Sequence, residues 1–239
     1  MELKIAHLYP EMLNLYGDIG NIITLKERIS KRGIEAKIKE YDISEKIEFS
    51  DIDIIYIGGG TDREVRLACE KLCETKAEFK SFAEDGGTIL AVASGYPLLG
   101  QYYMQDGEKI EALQLMDMYT EECDKRIIGN IILESELINS TIVGFENHSG
   151  RTYTQNHTPL GKVIYGYGNS DKKNIEGAVY KNVIGTYLHG PLLPKNPLLA
   201  DYIIKNALFK KYGLNELEPI DDTIENMAHK YILDRYIKK

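Results

Sequence analysis

Short apolar runs alternate with amphipathic stretches through the first hundred residues of this chain. Residues 3–9, Leu-Lys-Ile-Ala-His-Leu-Tyr, and residues 35–41 have the pattern of strands, and between them residues 21–31 carry helical spacing that stops at Arg32-Gly33. Residues 52–57, Ile-Asp-Ile-Ile-Tyr-Ile, form a nearly unbroken β-branched run, as expected of a parallel strand covered on both faces. That run ends in Gly58-Gly59-Gly60. The pattern then predicts one long helix over 62–84, closed by Gly86-Gly87, and a further buried strand at 88–92. Strands and helices in this order, joined by short connections, predict an α/β fold: an open, mostly parallel, doubly wound sheet. The second half changes character. Shorter strands are expected at 126–134, 141–145, 162–167, 177–180 and 183–188, followed by helices at 198–212 and 223–237. No repeat, low-complexity tract or linker interrupts the pattern, so residues 1–239 are expected to form a single domain.

Composition narrows the function classes. Hydrophobic residues make up 43% and charged residues 28% of 239, an ordinary globular balance. The formal net charge of −8 leaves no excess of cations to neutralise phosphates, which argues against nucleic-acid binding. No apolar run is long enough to span a bilayer, and no basic, then apolar, then small-residue leader is visible at the start. Three cysteines, Cys69, Cys73 and Cys123, do not make a disulfide framework, and with so few partners they do not suggest a metal site. The expectation is a reduced, cytoplasmic protein that does not insert into membranes and needs no cofactor.

Three segments carry candidate chemistry, each expected at the carboxyl ends of strands, where open α/β sheets bind ligands. The glycine run 58–60 lets the backbone approach a ligand closely, and its Gly59 N–H is a candidate oxyanion donor; taken alone, the run fits a tight turn equally well. The second segment is Val92-Ala93-Ser94-Gly95-Tyr96-Pro97-Leu98-Leu99-Gly100. A buried strand enters a small-residue turn and then an expected apolar helix, the layout of a nucleophile elbow whose helix dipole would lower a thiol pKa. In the third, Ile184-Gly185-Thr186-Tyr187-Leu188-His189-Gly190-Pro191, a histidine closes a strand at the same rim. A lone histidine is more often structural than basic, but the three segments in this order match an acyl-transfer constellation.

On these residues the chain resembles the class I glutamine amidotransferases of the cobyric-acid-synthase type, with a flavodoxin-like fold. Within them it is similar to the small glutaminase subunits that serve amidation of the cell-wall precursor lipid II. The resemblance rests on Asn14-Leu15-Tyr16-Gly17-Asp18-Ile19-Gly20-Asn21, Ile57-Gly58-Gly59-Gly60 and Arg126-Ile127-Ile128-Gly129-Asn130. It continues through Gly144-Phe145-Glu146-Asn147-His148-Ser149-Gly150-Arg151-Thr152, Gly166-Tyr167-Gly168-Asn169 and the string from Gly185 to Pro191. The resemblance implies that a cysteine thiolate attacks the side-chain amide of L-glutamine, with His189 as base and then acid, Gly59 and Ser94 N–H groups holding the oxyanion, and Arg126 binding the substrate carboxylate. Ammonia would pass to a Mur-ligase-like partner in a heterodimer, and that partner would use ATP to activate the D-glutamate of lipid II. Pro191 stands where many relatives carry the carboxylate that orients the histidine, which implies that the partner supplies an aspartate. His148 and Arg151 read as structural or interfacial.

The elbow departs from that pattern. The resembled motif reads Cys-Gly-Gly-Tyr-Gln, whereas this chain has Ala93 for the cysteine, Ser94 for a glycine and Pro97 for the glutamine. Alanine cannot attack an amide. Three readings stay open: a cysteine replaced to trap a complex, an inactive relative that still binds a ligase or ligand, or a nucleophile moved to Ser94. The last places the hydroxyl one residue late and ranks lowest.

Overall fold

The computed structural model describes residues 1–170 and 174–237. The chain begins with β1 (Glu2–Leu8), α1 (Ile19–Ser30), β2 (Glu35–Tyr41), β3 (Ile54–Ile57), α2 (Asp62–Cys73), α3 (Lys76–Glu84) and β4 (Thr88–Val92). Ten short strands follow: β5 (Tyr102–Gln105), β6 (Glu108–Glu111), β7 (Tyr119–Glu121), β8 (Ile127–Ser135), β9 (Ser140–His148), β10 (Arg151–Tyr153), β11 (Gly161–Tyr165), β12 (Ile175–Glu176), β13 (Ala178–Tyr180) and β14 (Val183–Thr186). Two helices, α4 (Pro197–Tyr212) and α5 (Thr223–Tyr236), come last.

The central sheet runs β13-β14-β4-β3-β1-β2, with every pair parallel except β13 on β14. All residues of β3 and β4 are buried, so the sheet is covered on both faces, as its β-branched runs require. One face packs on α2 and α3 through Val65, Leu72, Phe79 and Phe82, the other on α1 and α4 through Ile22, Leu25, Ile203 and Ala207. The mostly parallel α/β sheet agrees with the sequence expectation.

Beside it lie two smaller sheets: β10-β7-β5-β6, whose strands the pattern does not mark, and β12-β11-β8-β9, whose β8, β9 and β11 fall on the strands expected at 126–134, 141–145 and 162–167. In the first, Tyr102 stacks on Tyr119 at 5.3 Å between ring centroids and Tyr119 on Tyr153 at 5.2 Å, a tyrosine ladder along strands of only three or four residues.

The single helix expected over 62–84 is two. Thr75 leaves helical geometry at φ −117°, ψ 27°, and its hydroxyl donates to Leu72 O at 3.1 Å, giving the backbone a local alternative to the helix. The break redirects α3 so that Phe79 packs edge-on against Phe49, with ring centroids 4.9 Å apart. The start of α2 is fixed by a capping box: Glu64 N–H donates to Thr61 Oγ1, and Glu64 Oε2 accepts the Thr61 N–H.

Two buried polar groups set how this fold responds to solvent. Arg28 is 3% exposed and joins three parts of the chain, donating from Nε to Asp201 on α4 at 2.8 Å and from Nη2 to Asp222 at 3.0 Å. His7, in the middle of the sheet, is fully buried with neither ring nitrogen hydrogen-bonded; the carboxylate of the exposed Glu40 lies 4.0 Å from Nδ1. Burial pushes its pKa down to about 4.

Replacing Arg28 with methionine strands the partly buried Asp222 and leaves Asp201 with Arg32 alone, at 2.7 Å. The variant is expected to lose about 2–3 kcal/mol in urea unfolding, at the low end for a broken buried pair because both carboxylates keep a water-facing edge. For His7 the unfolded chain binds the extra proton between its ordinary value near 6.5 and about 4, so stability is lost as the pH falls through that window. His7→Phe should gain on the native chain by on the order of 2 kcal/mol between pH 7 and pH 4.5, a comparison in which any pH-independent packing cost cancels. An unchanged gap between the two proteins across that range would rule this out.

Candidate active site

The carboxyl ends of β3, β4 and β14 bring the three candidate segments to one rim. The 58–60 run needs glycine for closeness rather than for an unusual φ. A Cβ on Gly58 would lie 2.0 Å from Leu13 O, one on Gly59 2.7 Å from the Ala93 Cβ, and one on Gly60 2.5 Å from Met12 O. Across the gap, a Cβ on Gly95 would meet Gly58 O at 2.4 Å. The glycine loop and the elbow therefore touch backbone to backbone.

Ala93 has φ +53°, a left-handed conformation that non-glycine residues rarely adopt, and it is buried. Backbone strain held at the corner between a buried strand and a turn is the geometry of a nucleophile elbow. The expected apolar helix behind it is absent: two single 3-10 turns, Ala93–Gly95 and Pro97–Leu99, stand there, and Gly100 is extended. Tyr96 keeps α geometry at φ −62°, ψ −49°, but Pro97 lacks the N–H that a continued helix would donate to Ala93 O. So short a segment supplies little dipole to a group at position 93.

His189 lies three residues beyond the end of β14, 2% exposed, pinned by its N–H to Phe145 O at 3.0 Å. Its Nδ1 is 2.8 Å from Tyr187 O. A carbonyl only accepts, so Nδ1 carries the proton and Nε2 keeps the lone pair, the tautomer a general base needs. A backbone carbonyl thus fills the orienting role that Pro191 cannot. Burial lowers the His189 pKa, its Nδ1 bond opposes this, and nearby His148 and Arg126 press in the same direction as burial.

A cavity in front of this rim is lined by Tyr16, Gly60, Ser94, Pro97, Arg126 and Asn147, among others. Arg126 donates from Nε to Asn147 Oδ1 at 2.6 Å, which orients the guanidinium and leaves its outer nitrogens for a carboxylate. Tyr16 covers His189 from the cavity side, its ring 4.4 Å from the imidazole. Ser94 Oγ accepts the Gly60 N–H at 2.9 Å and donates to Gly60 O at 3.0 Å. That hydroxyl, weighed above as a substitute nucleophile, is held by the glycine loop and not by His189. The Gly59 N–H, expected to face substrate, donates instead to Asp18 Oδ2 at 3.1 Å, and Gly60 is the loop residue that lines the cavity. The Ser94 N–H opens a 3-10 turn, where backbone donors have no partner within the turn.

Asp18 and Tyr16 had no assigned role in the sequence, although both lie within its Asn14-to-Asn21 string. Asp18 is fully buried; burial raises its pKa to about 6, against the Gly59 and Gly190 N–H groups that favour its charge. One oxygen of this carboxylate thus anchors the glycine loop through the Gly59 N–H. His148 stacks flat on Tyr187 at 3.7 Å and donates to Gly150 O, and Arg151 donates to Ser149, Gly150 and Lys125 carbonyls, so both shape the wall behind the base. Cys69 and Cys73 lie on α2, both directed at Glu111 O, away from this rim. A wider depression at the opposite end of the sheet, around Glu2, Lys4, Asp51 and Asp53, is lined by paired charges.

The geometry agrees with the relatives. Residues 4–197 match the model of the CobB/CobQ-like glutamine amidotransferase domain. The chain is 46% identical to the lipid II isoglutaminyl synthase (glutamine-hydrolyzing) subunit GatD of Staphylococcus aureus, over 98% of this chain and 96% of that one. It is 39% identical to the subunit of the same name from Streptococcus pneumoniae, over 96% and 90%. Among solved structures, a glutamine amidotransferase superposes with a TM-score of 0.60 at 17% identity, covering 84% of this chain and 98% of that one. One from Thermotoga maritima gives 0.55 at 13% identity, covering 96% and 93%, and these two likenesses bear on the fold. With an elbow, a tautomer-fixed histidine and a family match over most of its length, the chain belongs to the CobB/CobQ-like glutamine amidotransferases.

Proposed function

We propose that this chain is the glutamine-binding subunit of a lipid II isoglutaminyl synthase, built for glutamine hydrolysis but without its nucleophile. The likeness to the staphylococcal subunit along nearly the whole chain carries the reading, and His189 with its free Nε2 supports it. With a thiol at position 93 the chemistry would run in two halves. Nε2 takes the thiol proton, sulfur bonds to the glutamine side-chain carbon, and the carbonyl oxygen becomes an oxyanion beside the Ser94 and loop N–H groups. His189 then returns the proton to the departing amine, ammonia leaves, and water hydrolyses the thioester to glutamate. Arg126 holds the substrate α-carboxylate. A Mur-ligase-like partner consumes the ammonia at an ATP-activated carboxyl of the D-glutamate in lipid II, and the heterodimer works in the cytoplasm on a membrane-anchored substrate.

The methyl group of Ala93 stops this sequence before its first bond. The chain as it stands is therefore a silent subunit that keeps the fold of its relatives.

Ammonia release from glutamine, measured with the Mur-ligase-like subunit present, tests both parts. The native chain is expected to release none, and Ala93→Cys to give detectable release and isoglutamine in the lipid product. Glutaminase activity in the native chain equal to that of Ala93→Cys would show that position 93 is not the nucleophile. In the Ala93→Cys background, Arg126→Ala is expected to raise KM for glutamine at least about tenfold while changing kcat less, the signature of a lost ground-state carboxylate contact. An unchanged KM would remove Arg126 from the substrate site.

A further inference from the structure

We infer that the Ser94 side-chain oxygen occupies the oxyanion position of this site, so that the elbow is closed to acyl transfer at Ser94 as well as at Ala93. The inference rests on the glutaminase-type reading above and adds a second, independent block to it.

Two amides of the glycine loop could serve the cavity, and the structure separates them. The Gly59 N–H is bound to the buried Asp18 carboxylate, which does not line the cavity, whereas Gly60 does line it. The Gly60 N–H is the loop donor that substrate would meet, and at 2.9 Å it holds Ser94 Oγ. That distance falls in the range over which such a donor holds an oxyanion, about 2.7–3.1 Å. Ser94 lines the same cavity as Gly60, so the hydroxyl and its donor belong to residues that both border the substrate space. A second bond, from the hydroxyl to Gly60 O at 3.0 Å, pins the oxygen in place.

The loop has no room to retreat and offer the amide elsewhere. Gly60 is backed by Met12 O and Leu13, Gly58 by Leu13 O, and Gly95 by Gly58 O, all backbone contacts except the Leu13 side chain behind Gly60. A substrate carbonyl reaching this donor has to displace the Ser94 hydroxyl from both of its bonds. The same hydroxyl cannot act as nucleophile without leaving the donor that would stabilise its product.

The test uses four proteins in complex with the Mur-ligase-like subunit: the native chain, Ala93→Cys, Ala93→Cys/Ser94→Gly and Ala93→Cys/Ser94→Ala. Iodoacetamide alkylation, which needs no oxyanion donor, is read at residue 93 by peptide mass, apart from the free Cys69, Cys73 and Cys123; it reports whether the introduced thiol is present and reactive, and is expected to proceed at similar rates in all three cysteine forms. Ammonia release from glutamine should then rise about 10²-fold in kcat when the Ser94 hydroxyl is removed, the scale of one recovered oxyanion donor. Ser94→Ala should match Ser94→Gly, because loss of the oxygen and not added backbone freedom is the cause. Equal release with and without the hydroxyl, at equal alkylation, overturns this inference and leaves the glutaminase reading standing. No release from any cysteine form, with all three alkylated, overturns the glutaminase reading and this inference with it.

Discussion

Everything at the rim depends on one contact, the backbone-to-backbone approach of the 58–60 loop and the 93–95 turn. A Cβ on Gly95 would lie 2.4 Å from Gly58 O and one on Gly59 2.7 Å from the Ala93 Cβ, so the two turns approach too closely for either glycine to carry a side chain. That spacing fixes the left-handed Ala93 at the corner and presents the Gly60 amide to the cavity. Asp18 then completes the frame from behind, gripping the Gly59 N–H while its charge is also favoured by the Gly190 N–H. The glycine loop is held by this buried carboxylate at the start of α1, and the base by the Phe145 and Tyr187 carbonyls.

This framework is complete without the side chain that the proposed chemistry needs at position 93. The elbow strain, the histidine tautomer and the Arg126–Asn147 bond remain, while the reactive atom is a methyl group and the loop donor holds a hydroxyl. These belong to different levels of the molecule. Strain and tautomer follow from the backbone path, which the buried sheet imposes; the nucleophile and the vacancy beside it are single side chains that can change without disturbing the sheet. The fold of this glutamine amidotransferase domain therefore does not depend on a thiol at position 93.

The strand at 88–92 falls on the residues the pattern marks because a covered parallel strand leaves a dense apolar signature, whereas the mostly exposed edge strand at 35–41 shows itself by the alternation of Ala36 and Ile38 with charged neighbours. The helix expected over 62–84 breaks at Thr75, where no proline or glycine gives warning and the deciding atoms are a hydroxyl and a carbonyl one turn back. Strands of three or four residues such as β5 and β7 are too short for any period to register, and their tyrosine stacking exists only after the sheets assemble. At the site, His189 and Arg126 stand out through their motifs. The glycine run cannot say which of its amides faces the cavity; that choice belongs to Asp18, forty-one positions away from Gly59. Tyr16 was equally hidden, since its partner His189 lies on the far side of the sequence.

The last helix sits on the protein in a different way from all the others. None of the residues of α5 is buried, and Ile224, Met227 and Tyr231 point one exposed apolar stripe outward. What holds it is a handful of polar links: His229 bridges Thr141 and the Lys195 carbonyl, Tyr236 meets Asn130, and Asp222 at its start is clamped by Arg28. Hydrogen bonds of this kind are individually modest and bring little of the cooperative burial that locks α1 and α4 to the sheet. The helix is thus a separate cooperative unit: in native-state hydrogen exchange its amides would open at a fraction of the free energy that guards β3 and β4, with the glutamine rim still closed.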